Sequence, residues 1–145
     1  MCRPNLPWGQ RLGAPDSMQG HSFADALMGA PKPDGWREVT YYRYWMHLAH
    51  NLAVPAHFGI RSDRYKLIFF YGMDSEGTNK NLTPVAWEFY DLEKDPAEMN
   101  NLYGDKAYAE IIAKMKQQLR ETRKELNETD AARPAIQKRI DAHWD

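Results

Sequence analysis

The sequence predicts an α+β domain, in which a small antiparallel sheet of three or four strands is packed by a long C-terminal amphipathic helix. Two observations predict this fold. Aromatic and β-branched segments separated by turn residues follow Trp36. After Asp105, apolar residues recur at the spacing of one helix face. More than half of the nine prolines and nine glycines lie in residues 1–36, so we expect mostly loop there.

One short helix is predicted within this loop-rich segment, from Ser22 to Met28. Ser22 can cap the helix, and Phe23, Ala26 and Leu27 then lie on one face. We expect that face to pack on a larger body.

The first strand is predicted from Glu38 to Trp45, because its aromatic residues suit a half-buried pleated surface. Residues 47–55 contain polar side chains and a proline and are typical of a loop. Ala56 to Arg61 and Tyr65 to Tyr71 then form a hairpin around the turn at residues 62–64.

The strand from Tyr65 is predicted to be central, because Leu67 to Phe70 is apolar on both faces. We expect a cover on each side of it, one of them a helix. Gly72 to Pro84 is predicted to be a surface loop, and Val85 to Leu92 the next strand.

Helices are predicted for the rest of the chain. Asp95-Pro96-Ala97-Glu98 has the pattern of a capping box and predicts one helical turn. The long helix starts at Asp105 and ends near Asn127. Its apolar stripe consists of Tyr108, Ile111, Ile112, Met115, Leu119 and Leu126. A shorter helix, within Arg133 to Trp144, has Ile136 and Ile140 on one side.

These elements divide the chain into three predicted parts. Residues 1–36 form a connecting segment, residues 37–128 form the α+β domain, and residues 129–145 form a tail with a short helix.

Composition excludes several classes of function. With 19 basic and 20 acidic residues the chain has no net field to attract nucleic acid or an anionic membrane surface. Cys2 is the only cysteine, so neither an intrachain disulfide nor a thiolate cluster can form. No apolar run is long enough to cross a membrane, and Met1 to Gln10 does not have the pattern of a secretory signal.

Candidate sites are few. No spacing of histidine, cysteine or carboxylate predicts a metal site, and no serine or cysteine lies in a nucleophile motif, so we assign no catalytic residue and no metal ligand. His47, His50 and His57 could line a cleft with Arg43 and Arg61 for an anionic or sugar substrate. The alternative is that the basic residues pair across strands or are solvated.

The aromatic residues of the strands could stack on a sugar, but aromatic side chains in strands are usually part of the core. We therefore expect a core role for Trp45, Phe69, Phe70, Trp87 and Phe89.

Three ordered motifs carry a resemblance to a known family. Residues 87–102 (WEFYDLEKDPAEMNNL) resemble the E-L-Y-D-L-x-x-D-P-x-E-x-x-N-L signature near the C-terminus of type I sulfatases. Residues 57–68 (HFGIRSDRYKLI) are similar to the G-I-R-T-D-R-Y-K-L-I hairpin of the same enzymes. Residues 18–23 (MQGHSF) resemble the stretch that joins their catalytic domain to the C-terminal subdomain.

The resemblance implies the C-terminal subdomain of the alkaline phosphatase-like sulfatase fold, most similar to that of carbohydrate sulfatases acting on glucosamine- or glycosaminoglycan-type substrates. It implies that formylglycine and calcium belong to a catalytic domain, which would be the partner of this subdomain. The C/S-x-P-S-R motif of the nucleophile is not in the sequence, since Asn5 and Leu6 follow Cys2-Arg3-Pro4.

In that context His50 and His57 are predicted substrate contacts, and the isolated chain is predicted to be inactive. Family members are usually periplasmic, secreted or lysosomal. Two alternatives stay open. One is a stand-alone interaction module with an exposed apolar face. The other is the same subdomain from a phosphate or phosphonate ester hydrolase of the superfamily.

Overall fold

The computed structural model describes residues 24–31, 35–78 and 80–145. The chain divides into two compact units, Met1–Arg37 and Glu38–Asp145. In the first unit, helix α1 spans Ala24–Leu27, within the predicted helix. Ser22 and Phe23, the predicted cap and the first residue of its apolar face, lie outside the described residues.

The second unit contains one antiparallel sheet of four strands: β1 (Thr40–Tyr44), β2 (His57–Arg61), β3 (Tyr65–Phe70) and β4 (Ala86–Asp91). The strands lie in the order β1-β2-β3-β4, so each strand pairs with its neighbour in sequence. The predicted α+β class is confirmed, and β3 is central as predicted. The observed strands are shorter than the predicted ones by one to three residues, because apolar and aromatic residues continue past the paired positions of the sheet.

Alternation along the strands separates two faces of the sheet. One face forms the core, and its fully buried apolar strand residues are Phe58, Ile60, Leu67, Phe69 and Phe89. Helix α2 (Ala109–Glu125) lies across β1, β2 and β3 on this side. It contributes the buried residues Ile112, Met115 and Leu119. Those three belong to the predicted stripe, and they are buried because spacings of three and four residues place them on the helix face that packs against the sheet.

The helical segment begins at Asp105 as predicted, but its first turn is a 3-10 turn, and α2 itself starts at Ala109. The carboxylate of Asp105 accepts a hydrogen bond from the backbone N–H of Ala107 at 2.9 Å. A 3-10 turn at Lys106–Tyr108 precedes the α-helix. Asn127, just past the helix end, has a left-handed φ of 55°, which is a common way for a helix to end.

The helical turn predicted after Asp95 is wrong. Residues 96–97 form only a turn, and Glu98 has a left-handed φ of 56°. The side chain of Asp95 accepts a hydrogen bond from the N–H of Asn100 at 2.7 Å. The Glu98 carboxylate forms an ion pair with Lys66 at 2.5 Å. Because Glu98 bonds to a side chain of β3, it does not complete the capping box.

The last twenty residues contribute to the same core. Helix α3 spans Pro134–Ala142 and buries Ile136 and Ile140. The indole of Trp144, which follows this helix, lies 5.2 Å from that of Trp87. Within the described residues, no helix is long and apolar enough to cross a membrane.

Candidate functional site

The face of the sheet opposite α2 carries the first of the two predicted contact residues. In the strand register, Tyr44 of β1 lies opposite His57 of β2, which lies opposite Phe70 of β3. Since Phe58, the next residue, points into the core, His57 points to the other face. Three neighbouring strands therefore bring three rings together on the side of the sheet away from α2.

The rings pack in contact. The imidazole of His57 stacks on Tyr44 with ring centroids 5.4 Å apart, and its centroid lies 4.8 Å from that of Phe70. The ring of Tyr42 meets the same imidazole edge-on at 6.1 Å. We call these four side chains, Tyr42, Tyr44, His57 and Phe70, the aromatic cluster. All four are half-buried, so each ring is packed on one side and reachable on another.

A backbone contact fixes the orientation of His57. Its Nδ1 lies 2.8 Å from the carbonyl oxygen of Pro55, so Nδ1–H donates that hydrogen bond. Nε2 has no partner among the described residues. In the neutral ring Nε2 accepts a hydrogen bond, and in the protonated ring it donates one. The ring can thus address a sugar hydroxyl or a sulfate oxygen.

The second predicted residue, His50, lies in the loop between β1 and β2. Residues Ala49–Asn51 form a 3-10 turn in which His50 has a left-handed φ of 57°. Its side chain is exposed, and no ring contact or hydrogen bond joins it to His57 in the described part of the chain.

His47 has a structural role. Its Nδ1 accepts a hydrogen bond from the N–H of Ala56 at 3.1 Å, and its Nε2–H donates to the carbonyl oxygen of Asn81 at 2.7 Å. Both ring nitrogens are therefore used, which requires the neutral Nε2–H tautomer. His47 ties the β1–β2 loop to the β3–β4 loop.

The two arginines of the possible cleft lie elsewhere. Arg43 is on the α2 face, where its guanidinium stacks on Trp45 at 3.4 Å and pairs with the buried carboxylate of Asp130 at 2.7 Å. Arg61 is exposed at the other end of β2, roughly 13 Å along the strand from His57. A cleft lined by all five residues is therefore wrong, because strand alternation puts Arg43 on the opposite face from His57.

Two phenols stay protonated at neutral pH. One is that of Tyr42 in the aromatic cluster, and the other is that of Tyr90 on β4. Burial, reinforced by a hydrogen bond to Glu88, raises the pKa of Tyr90 to about 12. Burial also raises the pKa of Tyr42, and the negative charge of Glu98 adds to the effect. Both phenols therefore keep their proton rather than act as bases, and the hydroxyl group of Tyr90 donates to Glu88 at 3.0 Å.

The potential metal-ligand side chains of the described residues do not form a site. Among the described residues, no three or more histidine, cysteine or carboxylate side chains cluster closely enough to hold a metal ion. The calcium implied by the family therefore has no fitting ligand set in this part of the chain, and no reaction step is assigned to it here.

The sequence analysis missed the aromatic cluster around His57. Phe70 was expected in the core, yet it is half-buried on the opposite face and packs against the imidazole. The available signal was strand parity. Residues 42, 44 and 70 are even in number while the core positions of β1 and β3 are odd, so alternation alone separates the faces.

Three comparisons identify relatives. The sequence profile of the family described as N-sulphoglucosamine sulphohydrolase, C-terminal, matches residues 9–125. An N-acetylglucosamine-6-O-sulfatase of Bacteroides thetaiotaomicron is 37% identical over 117 residues, which cover 80% of this chain and 19% of that protein. The chain thus spans about a fifth of the length of the curated relative that it matches.

Two solved structures are also similar to this chain. A protein crystallised in complex with its substrate D-glucosamine-2-N,6-O-disulfate superposes with a TM-score of 0.69 and 35% identity, covering 81% of this chain and 22% of that one. A phosphonate monoester hydrolase of Agrobacterium radiobacter superposes with a TM-score of 0.54 and 24% identity, covering 73% of this chain and 20% of that one. The latter likeness shows a shared fold.

Proposed function

The chain belongs to the family of N-sulphoglucosamine sulphohydrolase C-terminal domains, and from this membership we propose that it serves as the C-terminal subdomain of a sulfatase acting on sulfated carbohydrate. In this proposal the nucleophile and the calcium ion come from a catalytic domain, and this chain supplies the scaffold and one wall of the substrate cleft.

The observation that supports the proposal most is the extent of the similarity. The family match covers residues 9–125, and 81% of the chain superposes on a protein solved with a sulfated glucosamine. The fold alone does not choose the reaction, because a phosphonate monoester hydrolase has it too. The 37% identity to an N-acetylglucosamine-6-O-sulfatase favours the sulfate ester.

Within the cleft wall, His57 is the stronger candidate for a substrate contact. Its imidazole is held by three rings and by the Pro55 carbonyl group, so its orientation is fixed before the substrate binds. The rings of Tyr44 and Phe70 beside it offer apolar surface to the face of a sugar. His50, on its exposed turn, is the second candidate.

A chimera tests the function. The matched segment of the Bacteroides thetaiotaomicron sulfatase is replaced by this chain, and sulfate release from N-acetylglucosamine-6-sulfate is measured. We expect release well above that of the same enzyme with the segment deleted. A soluble, folded chimera with no more activity than the deletion variant would contradict the proposal.

The histidine roles are tested in the same chimera. We expect His57→Phe, which keeps a ring in the cluster but removes Nε2, to raise KM about tenfold, since one good hydrogen bond contributes about 1.4 kcal/mol. His50→Ala should have a smaller effect in the same direction. His143→Ala is the control, because that residue lies beyond the matched region. Unchanged KM in both site variants would remove the two histidines from the cleft.

The isolated chain is proposed to be inactive. Purified protein should give no turnover of a chromogenic sulfate ester above a buffer blank, and turnover that follows the protein through purification would overturn this part of the proposal.

A further inference from the structure

Two neighbouring loops contain an unusual share of left-handed backbone. Six non-glycine residues have positive φ in the described part of the chain. Four of them lie in the β1–β2 loop, residues 45–56, and the β3–β4 loop, residues 71–85: Leu48, His50, Asn51 and Asn81. This conformation brings Cβ close to the backbone, so it persists only where the surrounding structure holds it, and it concentrates at functional sites.

The same loops expose large apolar side chains. In the second unit, five large hydrophobic residues are exposed. Four of these five lie in the two loops: Met46, Leu52, Val54 and Leu82, which are 48%, 54%, 37% and 40% exposed. We call these four side chains the loop patch.

Hydrogen bonds join the two loops that carry the loop patch. The Nε2–H of His47 donates to the carbonyl oxygen of Asn81, which places the neighbours of those residues, Met46 and Leu82, at the junction of the two loops. The N–H of Leu48 donates to the carbonyl oxygen of Val54 at 3.0 Å, which closes the first loop and returns Val54 to the same junction. These hydrogen bonds therefore hold together the loop segments that carry Met46, Val54 and Leu82.

The chemistry of the patch points to an apolar protein surface as its occupant. Residues 46–60, which include Met46, Leu52 and Val54, contain no aspartate, glutamate, lysine or arginine, so this part of the patch offers no formal charge to a sulfated sugar, a nucleic acid or a lipid headgroup. It also contains no aromatic ring on which a sugar could stack. Large apolar side chains exposed together on neighbouring loops are typical of an interface with protein.

We propose that the loop patch is the surface on which this subdomain docks against the catalytic part of a sulfatase polypeptide. This inference rests on the proposed function. Four-fifths of the matched curated sulfatase lies outside the match, so a large polypeptide is available to cover the patch. Leu52 and Val54 follow the left-handed residues of the first loop and are exposed to such a partner.

Thermal unfolding of the chimera tests the docking. Calorimetry of the chimera should show one cooperative transition, because docked domains unfold together. Replacing Leu52 and Leu82 by aspartate (Leu52→Asp with Leu82→Asp) should split it into two transitions, since two desolvated carboxylates oppose the contact. Met99→Asp is the matched control, because Met99 is 77% exposed on the turn after β4, and it should leave the single transition intact.

The isolated chain provides the check on folding. Because all three substituted side chains are exposed, the variants should unfold within a few degrees of the parent when the chain is studied alone. A single transition in the double variant, or an equal split with Met99→Asp, would overturn the docking surface. So would a dimer of the isolated chain that the double variant abolishes, because a second copy would then be the occupant. An inactive chimera that still shows the patch-dependent single transition counts against the proposed function and supports the docking.

Discussion

At the scale of single residues, the carboxylate of Asp130 compensates two guanidinium groups inside the core. It is fully buried and accepts hydrogen bonds from Arg43 at 2.7 and 3.1 Å and from Arg123 at 2.6 Å. Both arginine side chains are also nearly inaccessible to solvent. One carboxylate thus joins β1, α2 and the segment before α3.

Removing this charge should destabilise the fold strongly. For Asp130→Asn we expect a loss of about 3–5 kcal/mol in the free energy of unfolding, because two buried cations lose their only fully buried anion. Glu128→Gln is the control, since the Glu128 side chain is 40% exposed and lies 3.7 Å from Arg43. It should cost less than about 1 kcal/mol. Urea denaturation measures both, and equal effects would contradict the assignment.

Asp91 links the end of β4 to the turn before β3 and to the start of α2. Hydrogen bonds from the Arg64 guanidinium, at 2.9 and 3.1 Å, hold the pKa of the Asp91 carboxyl below its ordinary value of 3.8, and a bond from the Tyr108 hydroxyl group adds to this. Since the folded pKa is lower than the unfolded one, the ionised carboxylate stabilises the fold above about pH 4.

The pH dependence follows from this sign. The thermal midpoint of the isolated chain should fall as the pH is lowered from about 4 through the folded pKa of Asp91, because protonation breaks the pair with Arg64. The fall should be shallower in Asp91→Asn, whose side chain does not titrate. A parallel acid profile for the two proteins would show that other carboxyls, such as Asp74 and Asp95, dominate instead.

At the scale of elements, helix α3 and Trp144 lie beyond the family match, which ends at residue 125. They nevertheless complete the core. Ile136 and Ile140 are buried, and the indole of Trp144 packs 5.8 Å from Phe69 and 5.2 Å from Trp87. The C-terminal segment therefore covers aromatic surface that α2 leaves open.

Truncating the Trp144 side chain measures this cover. We expect Trp144→Ala to lower the free energy of unfolding by about 3–5 kcal/mol, through lost transfer energy and the cavity left behind. Lys138→Ala, at an exposed position of α3, should change it by less than about 0.5 kcal/mol. A cost below about 1 kcal/mol for Trp144→Ala would mean that the segment after residue 125 is not part of the cooperative core.

The sequence predicts well those elements whose signals lie within the element itself. All four strands and α2 follow from aromatic and apolar patterning, turn residues and the helical stripe, because each of these signals lies within a short stretch of sequence. The turn after Asp95 does not follow, because Lys66 of β3 draws Glu98 away from its own backbone. Such a long-range ion pair has no signature in the nearby sequence.

At the scale of the whole molecule, some features of the candidate site could be predicted from the sequence and others could not. The sequence shows that histidine and aromatic residues occur in these strands. The packing of His57 on Tyr44 and Phe70, however, depends on the register of three strands. The burial of Arg43 depends on Asp130, which lies 87 residues away. Pairing across such separations is set by the folded sheet rather than by local pattern.

The proposal for the whole molecule is a division of labour. The sheet presents the aromatic cluster on one face, and α2 and α3 pack against the other. The two loops at one end of the strands present the loop patch. A subdomain of this kind contributes a wall and a docking surface, and the bond-breaking groups come from the catalytic domain.

The most direct measurement places this chain in two hosts, the Bacteroides thetaiotaomicron sulfatase and the Agrobacterium radiobacter phosphonate monoester hydrolase, each in place of its own matched segment. The rate constant for hydrolysis of each host's substrate is then compared with that of the host whose segment is deleted. Restored hydrolysis in the sulfatase host alone is the predicted result. Restoration in the hydrolase host alone, with a folded but inactive sulfatase chimera, would contradict the assignment of this chain to a sulfatase.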